Sequence, residues 1–173
     1  MWLFKSSALL IFIAILSPLS GCGFKPLYQG SVGRDTALRM ASIDIRPIAD
    51  RAGQIMHNEL RNLINPRGGP PVARYRLEVT YTETVNKLAV QKTSFATRAN
   101  LRIDANFKLI QSNSKSTVIS NAVTSITSYD IFSNEYPTLV AETDARKRAA
   151  EDAARAIATQ VAAYFRARRS NSN

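Results

Sequence analysis

The clearest order in the chain is alternation. Tyr75, Leu77, Val79 and Tyr81 alternate with Arg76, Glu78, Thr80 and Thr82, and Leu101, Ile103, Ala105, Phe107 and Leu109 alternate with Arg102, Asp104, Asn106 and Lys108. A period of two with one apolar face predicts strands in an antiparallel sheet covered on one side. A shorter strand is predicted at Ala41, Ile43 and Ile45, closed by Pro47. Asn113 and Ser114 form a turn into a fourth strand near 117–129, where both registers mix Val, Ile, Ser and Thr and neither face is marked as buried.

Helical spacing occupies the remaining segments. Ala52, Ile55, Met56, Leu60, Leu63 and Ile64 recur at helical intervals behind Asp50, a candidate N-cap. Asn65-Pro66 ends that helix, and Gly68-Gly69-Pro70-Pro71 makes a turn. Pro137 suits the first turn of a second helix that runs unbroken to about Arg168. Its stripe, Ala145, Ala149, Ala153, Ala156, Ile157 and Tyr164, is mostly small and suits close approach to a sheet, and Arg166, Arg168 and Arg169 complement its C-terminal dipole. The order strand, helix, three strands, helix predicts an α+β two-layer sandwich, with two helices packed on a four-stranded sheet over residues 38–169. Residues 170–173 form a tail.

Upstream, the pattern changes character. Lys5 precedes an apolar run from Ala8 to Leu16, and Leu19-Ser20-Gly21-Cys22 follows. A charged start, a hydrophobic stretch and small residues before a cleavage point make a secretory signal. Because the small residues stop at a cysteine, the pattern resembles a lipobox. Residues 1–21 are then a cleaved lipoprotein signal peptide, and Cys22 is lipidated as the first residue of the mature chain. The competing reading, a membrane-spanning helix, fits less well. The run is about half of the roughly 20 residues a span requires, and Pro18 and Gly21 interrupt it. Residues 22–37, rich in Gly, Ser and Pro without apolar period, read as lipid anchor and tether.

Composition sharpens the picture at two points. Cleavage leaves 152 of the 173 residues, one ordinary domain, with Cys22 as the single thiol, so no disulfide staples the core. The chain has 23 bases and 13 acids, and the leader carries only Lys5, so a net charge of +9 remains. Such a surplus favours anionic partners. Nucleic acid does not fit an exported address, which leaves lipid phosphates and acidic sugars.

The surplus is concentrated between Arg67 and Lys115, which hold nine bases and three acids. No acid lies between Glu83 and Asp104, whereas Lys87, Lys92, Arg98 and Arg102 do. These four are the candidate phosphate contacts, by point charge from Lys and bidentate bonds from Arg. Protection of a solvated sheet edge explains the same charges equally well. Support for catalysis is thin. His57 is the only histidine, no Gly-x-Ser-x-Gly turn occurs, Gly68-Gly69 lacks the continuation of a phosphate-binding loop, and Glu78 and Glu83 face opposite sides of a strand. The expectation is a protein that is not an enzyme, with no cofactor and no metal.

The segment Cys22-Gly23-Phe24-Lys25-Pro26-Leu27-Tyr28 resembles the mature start of LptE-type lipopolysaccharide-assembly lipoproteins. The element order over 38–169, with its alanine-rich final helix, is similar to the same family. The resemblance implies a fold of two helices on a four-stranded sheet. It implies a lipid-anchored protein on the periplasmic side of the cell outer membrane, plugging the β-barrel of the lipopolysaccharide translocon and assisting its assembly. Its partners are then that barrel, lipopolysaccharide and, through the anchor, the membrane. Gly23 after the cysteine resembles the signal for outer-membrane export. No lipopolysaccharide-contacting residue is carried over from the family. The alternative is an auxiliary lipoprotein of another envelope transport system, or an anionic-glycan binder.

Overall fold

The computed structural model describes residues 30–69, 72–88 and 97–170. The leader, Cys22 with the motif that follows it, Pro70-Pro71, Lys92 and residues 171–173 lie outside the described residues. In chain order the elements are α1 (Gly30–Met40), β1 (Ile43–Ile45), α2 (Asp50–Ile64), β2 (Tyr75–Leu88), β3 (Arg98–Gln111), β4 (Thr117–Asp130) and α3 (Glu135–Ser170). The strands form one sheet in the order β1-β2-β3-β4. The arrangement is α+β, as the alternation predicts.

Three details depart from the sequence reading. First, residues 30–37, read as tether, belong to α1. This helix has little apolar period of its own. It is held by tertiary contact, with Thr36 and Met40 each only 2% exposed, and it packs against α3. A short helix containing Gly30 and Gly33 is marginal without such support. Second, β1 pairs parallel to β2, with Ile43 opposite Tyr75 and Ile45 opposite Leu77, so the sheet is mixed. The cause is α2, which carries the chain back along the sheet between the two strands as a βαβ crossover. Third, Asp50 does not cap α2. The cap position is Ala49, without a side-chain bond, while Asp50 occupies the left-handed region at φ 64°.

The strands place odd-numbered residues inward. Leu77, Leu101, Ile103, Ala105, Phe107 and Leu109 are buried. The register aligns Leu77 with Leu109, Val79 with Phe107 and Tyr81 with Ala105. In β4 the register left open by the sequence is settled the same way: Val123, Ser125 and Tyr129 are buried and Ile126 is exposed. Over this face lies α3, whose buried stripe is Ala145, Ala149, Ala150, Ala153, Ala154, Ile157, Ala158, Val161, Ala162 and Phe165. α2 packs beside it, against β1 and α3. The Phe165 ring meets Tyr75 edge-on at 5.1 Å.

Two polar devices fix the helices to the sheet. At the C-terminus of α2, the Asn65 amide donates to the Ile43 carbonyl at 2.8 Å and ties the helix end to β1. Further along, Arg146 of α3 donates from Nε to both Glu83 oxygens at 2.9 and 3.0 Å and from Nη2 to Glu142 at 2.7 Å. Partial burial opposes the charge on Arg146, but its bonds to Glu142 and Glu83 outweigh that and hold its pKa above the ordinary value. Burial, then the neighbouring Glu142, pushes the Tyr129 hydroxyl above 10.0. Burial likewise raises Tyr81, against a backbone hydrogen bond at Gly53 and with help from Asp50 and Glu83.

Gly53 gives the first prediction. A Cβ there would lie 2.8 Å from Ile48 Cγ2 and 3.0 Å from the Ile48 carbonyl carbon and oxygen. Overpacking against backbone costs about 1–3 kcal/mol, and better helix propensity returns about 1 kcal/mol. Gly53→Ala is therefore expected to lower the urea midpoint, equivalent to a net loss of about 1 kcal/mol, whereas an unchanged midpoint would show that Ile48 yields freely. The second concerns alkaline pH. Since the folded pKa of Tyr129 is raised, its contribution is intact below pH 10.0 and is lost as pH rises through the folded value. Tyr129→Phe should cost roughly 1 kcal/mol at neutral pH through the lost hydrogen bond, yet flatten the fall in stability above pH 10, as read by denaturant titrations across that range.

Candidate functional site

Among the described residues the helices cover one face only, and no described element lies over the other face of the sheet. Even-numbered positions of three 14-residue strands point there. Across the strands the register sets Thr80 beside Asn106 and Ala122, Thr82 beside Asp104 and Thr124, and Asn86 beside Asn100 and Ser128. Many of the outward side chains are thus uncharged hydrogen-bonding groups. Ser128 Oγ donates to Asn100 Oδ1 at 2.7 Å, and Thr124 Oγ1 to Asp104 Oδ1 at 2.5 Å. A shallow groove of about 610 Å³ runs between Glu78, Thr80, Asn106, Lys108, Ser120 and Ala122.

The three described candidate cations do not form one cluster. Arg98 and Arg102 lie on the bare face. Lys87 pairs in register with Ala99, on the helix-covered side of the sheet, and Lys92 lies outside the described residues. The two arginines already have carboxylate partners. Arg102 makes two bonds to Asp104, Nε–Oδ2 at 2.7 Å and Nη2–Oδ1 at 2.8 Å. Arg98 Nε meets Asp130 Oδ1 at 3.2 Å. The hydrogen bond from Arg102, then that from Thr124, holds the Asp104 pKa below its ordinary value. Only Lys87 of the described three has no ion pair among the described residues.

Uncompensated charge gathers at the other end. The start of β2, the β3–β4 turn and the start of β1 meet there: the Arg74 amide donates to the Ser42 carbonyl at 3.0 Å and the Ser112 amide to the Arg74 carbonyl at 2.9 Å. The ends of α2 and α3 join them through Asn65–Ile43 and Phe165–Tyr75. Arg67, Arg74, Arg76, Lys108, Lys115 and Arg166 sit at this pole, and no carboxylate of the described residues pairs with any of them. Only Asp35, Asp44 and Glu78 lie near. Arg39 and Asp35, paired at 3.0 Å, line a cavity of about 450 Å³ with Arg74, Leu38, Ser42 and Tyr75. The opposite pole balances its charges instead, through Arg98–Asp130, Arg102–Asp104, Arg146–Glu83–Glu142 and Arg148–Asp144.

Reading charge along the sequence missed this partition. Five of the six polar cations fall within the basic segment 67–115, but spacing alone did not separate them from the paired ones. A usable signal was present: Arg74, Arg76, Lys108 and Lys115 flank the two ends of the hairpin that meet in space, β2 entry and β3 exit. Among the described residues no group of His, Cys, Asp and Glu could hold a metal. His57 Nδ1 lies 3.2 Å from the Arg46 carbonyl, within hydrogen-bond reach. No described helix is long and apolar enough to cross a membrane.

Comparisons with known proteins agree with this geometry. In structure, the chain is similar to a lipoprotein from Caulobacter crescentus, with a TM-score of 0.60 and 24% identity over 75% of this chain and 95% of that one. It is similar to lipoprotein B from Nitrosomonas europaea at TM-score 0.55 and 16% identity, over 82% and 92% of the two chains. A minor lipoprotein from Acinetobacter baumannii gives TM-score 0.57 and 16% identity over 70% and 90%. No curated protein sequence matches it. These likenesses establish the fold. The family described as LptE, lipopolysaccharide-assembly, matches residues 38–161, from the end of α1 into the last third of α3. The chain belongs to the LptE family of lipopolysaccharide-assembly lipoproteins, which are not enzymes.

Proposed function

We propose that the protein is a lipoprotein anchored through Cys22 on the periplasmic side of the cell outer membrane. There it plugs the β-barrel of the lipopolysaccharide translocon, assists assembly of that barrel and serves the insertion of lipopolysaccharide into the outer leaflet. The observation that supports the plug best is the uncovered sheet face. Three long strands expose Thr, Ser and Asn outward with no element of the described chain laid over them. The lumen of a large transmembrane barrel is polar, and a neutral hydrogen-bonding face is suited to it. Charges buried there unpaired would be costly; Arg98 and Arg102 bring their own carboxylates, while Arg76, Glu78 and Lys108 on the same face are confined to its end beside β1, with Glu78 opposite Lys108 in the register.

Lys87, Lys92, Arg98 and Arg102 are proposed as phosphate contacts for the glycolipid. Lys87 offers a free ammonium, and Arg98 and Arg102 would exchange a carboxylate for a phosphate. All three described candidates lie towards the pole remote from α1 and β1. Exposed pairs of this kind contribute little to stability, so the exchange costs the fold little.

Two outcomes test this reading. The native lipoprotein, purified by affinity from membranes, should bring with it one large outer-membrane β-barrel protein. Depleting it should strand lipopolysaccharide beneath the cell surface. Lipopolysaccharide at normal surface levels after depletion would reject the translocon role. Replacing Lys87, Lys92, Arg98 and Arg102 together by Gln should weaken lipopolysaccharide binding several-fold at low ionic strength, with the difference shrinking as salt screens it. Undiminished affinity would remove the phosphate site from this hairpin while leaving the plug intact.

A further inference from the structure

We propose that the cationic pole is a docking surface for the anionic phospholipid headgroups of the leaflet in which the chain is anchored. The inference rests on the lipoprotein reading for the anchor itself, and on the structure for the rest. Arg67, Arg74, Arg76, Lys108 and Lys115 are exposed, and no carboxylate of the described residues neutralises them. They come from the end of α2, the start of β2, the end of β3 and the β3–β4 turn, segments distant in sequence. Such convergence is not a by-product of one basic run. The same molecule pairs nearly all of its charges at the other pole, so the surplus is placed rather than scattered.

The position of the chain start specifies the occupant. α1 ends at Met40, beside the first residue of β1, at this pole. Seven residues lie between Cys22 and Gly30, a span of at most about 28 Å when fully extended, and α1 adds about 16 Å before the pole. An acylated Cys22 therefore keeps the pole within about 45 Å of the bilayer surface. Fourteen-residue strands put the far pole about 45 Å further away. Next to an anionic leaflet each Lys or Arg strengthens attachment by about fivefold, so several together orient the domain with the pole at the headgroups of the anchoring leaflet and the hairpin tip of β2 and β3 farthest from them. The acyl chains hold the protein, and the pole sets its posture.

Orientation can be read directly. The only tryptophan is Trp2, upstream of the cleavage point, so a Trp introduced in the mature chain is its sole indole. Asn113→Trp marks the cationic pole and Ser133→Trp the opposite one; both positions are exposed. The full mature lipoprotein is reconstituted on phosphatidylcholine vesicles with or without phosphatidylglycerol, and energy transfer to a headgroup-labelled lipid is measured. On anionic vesicles N113W should transfer severalfold more than S133W. The difference should vanish on neutral vesicles, and also near 1 M salt, where the Debye length is about 3 Å. Replacing Arg67, Arg74, Arg76, Lys108 and Lys115 by Gln should abolish it too, and the salt arm gives the same information if that variant folds poorly. Equal transfer from the two poles on anionic vesicles overturns the proposal, as does a preference that persists on neutral lipid or in high salt. A chain lacking acyl groups would leave neutral vesicles altogether. That rejects the anchor, while the anionic arm still tests the pole.

Discussion

The structure depends on how closely α3 can lie against the sheet. Seven of its buried positions are alanines, at 145, 149, 150, 153, 154, 158 and 162. Small side chains let the helix backbone approach Leu101, Ile103, Ala105 and Phe107 without a thick intervening layer. Larger residues enter only in the C-terminal half, where Ile157, Val161 and Phe165 fill the space beside α2 and the start of β2. Fully burying side chains of that kind contributes about 1.5–3 kcal/mol each. Adhesion is therefore strongest towards the cationic pole. At the other end the helix relies on the Arg146 bridge to Glu83 and on Tyr129, and leaves Tyr136, Leu139 and Val140 exposed.

One-sided coverage has a consequence for the rest of the molecule. Because every described helix goes to the same face, the strict alternation of β2 and β3 delivers a largely polar surface to the outside. Sheets that expose one face to water are ordinarily antiparallel, and the three long strands obey that rule. The parallel β1 is an addition at the edge, only three residues long, and covers the start of β2 alone. An edge this short offers little to an unwanted partner strand.

Much of this was legible in the chain because the relevant signals are local. Period-two alternation marks β2 and β3 whatever their surroundings, and Asn65-Pro66 must end a helix. Elements that rest on distant contacts were not legible. The β4 face depends on whether Val123 or Ile126 meets α3, a choice its mixed composition leaves open. The helicity of residues 30–37 depends on a groove formed by α3, more than a hundred residues away. The parallel direction of β1 is a property of the crossover rather than of Ile43 or Ile45. Asp50 has the chemistry of a cap but not its backbone, since the close approach of Gly53 to Ile48 fixes how the chain enters α2. The candidate cations show the same limit. Arg98 and Arg102 follow a long acid-free stretch, yet their neutralising partners are Asp130, across the sheet, and Asp104, two residues on along the same face.

The division of labour between the two surfaces follows from the cost of moving charge out of water. A face meant to enter a confined polar space is best built from hydroxyls and amides, which exchange water for protein partners at little net cost, with any guanidinium already matched to a carboxylate. A surface meant to rest against phosphate headgroups can leave its cations unmatched, because there the counter-charge is supplied from outside and both partners stay hydrated. Of the free cations only Arg76 and Lys108 share the sheet face, at its end beside β1, where Lys108 stands opposite Glu78 in the register; had the others been spread over that face too, each would have needed a carboxylate from whatever the face meets or remained exposed. The segregation seen here, matched charges at the hairpin pole and unmatched ones at the anchor pole, allows one small domain to present two kinds of polar surface without either weakening the other.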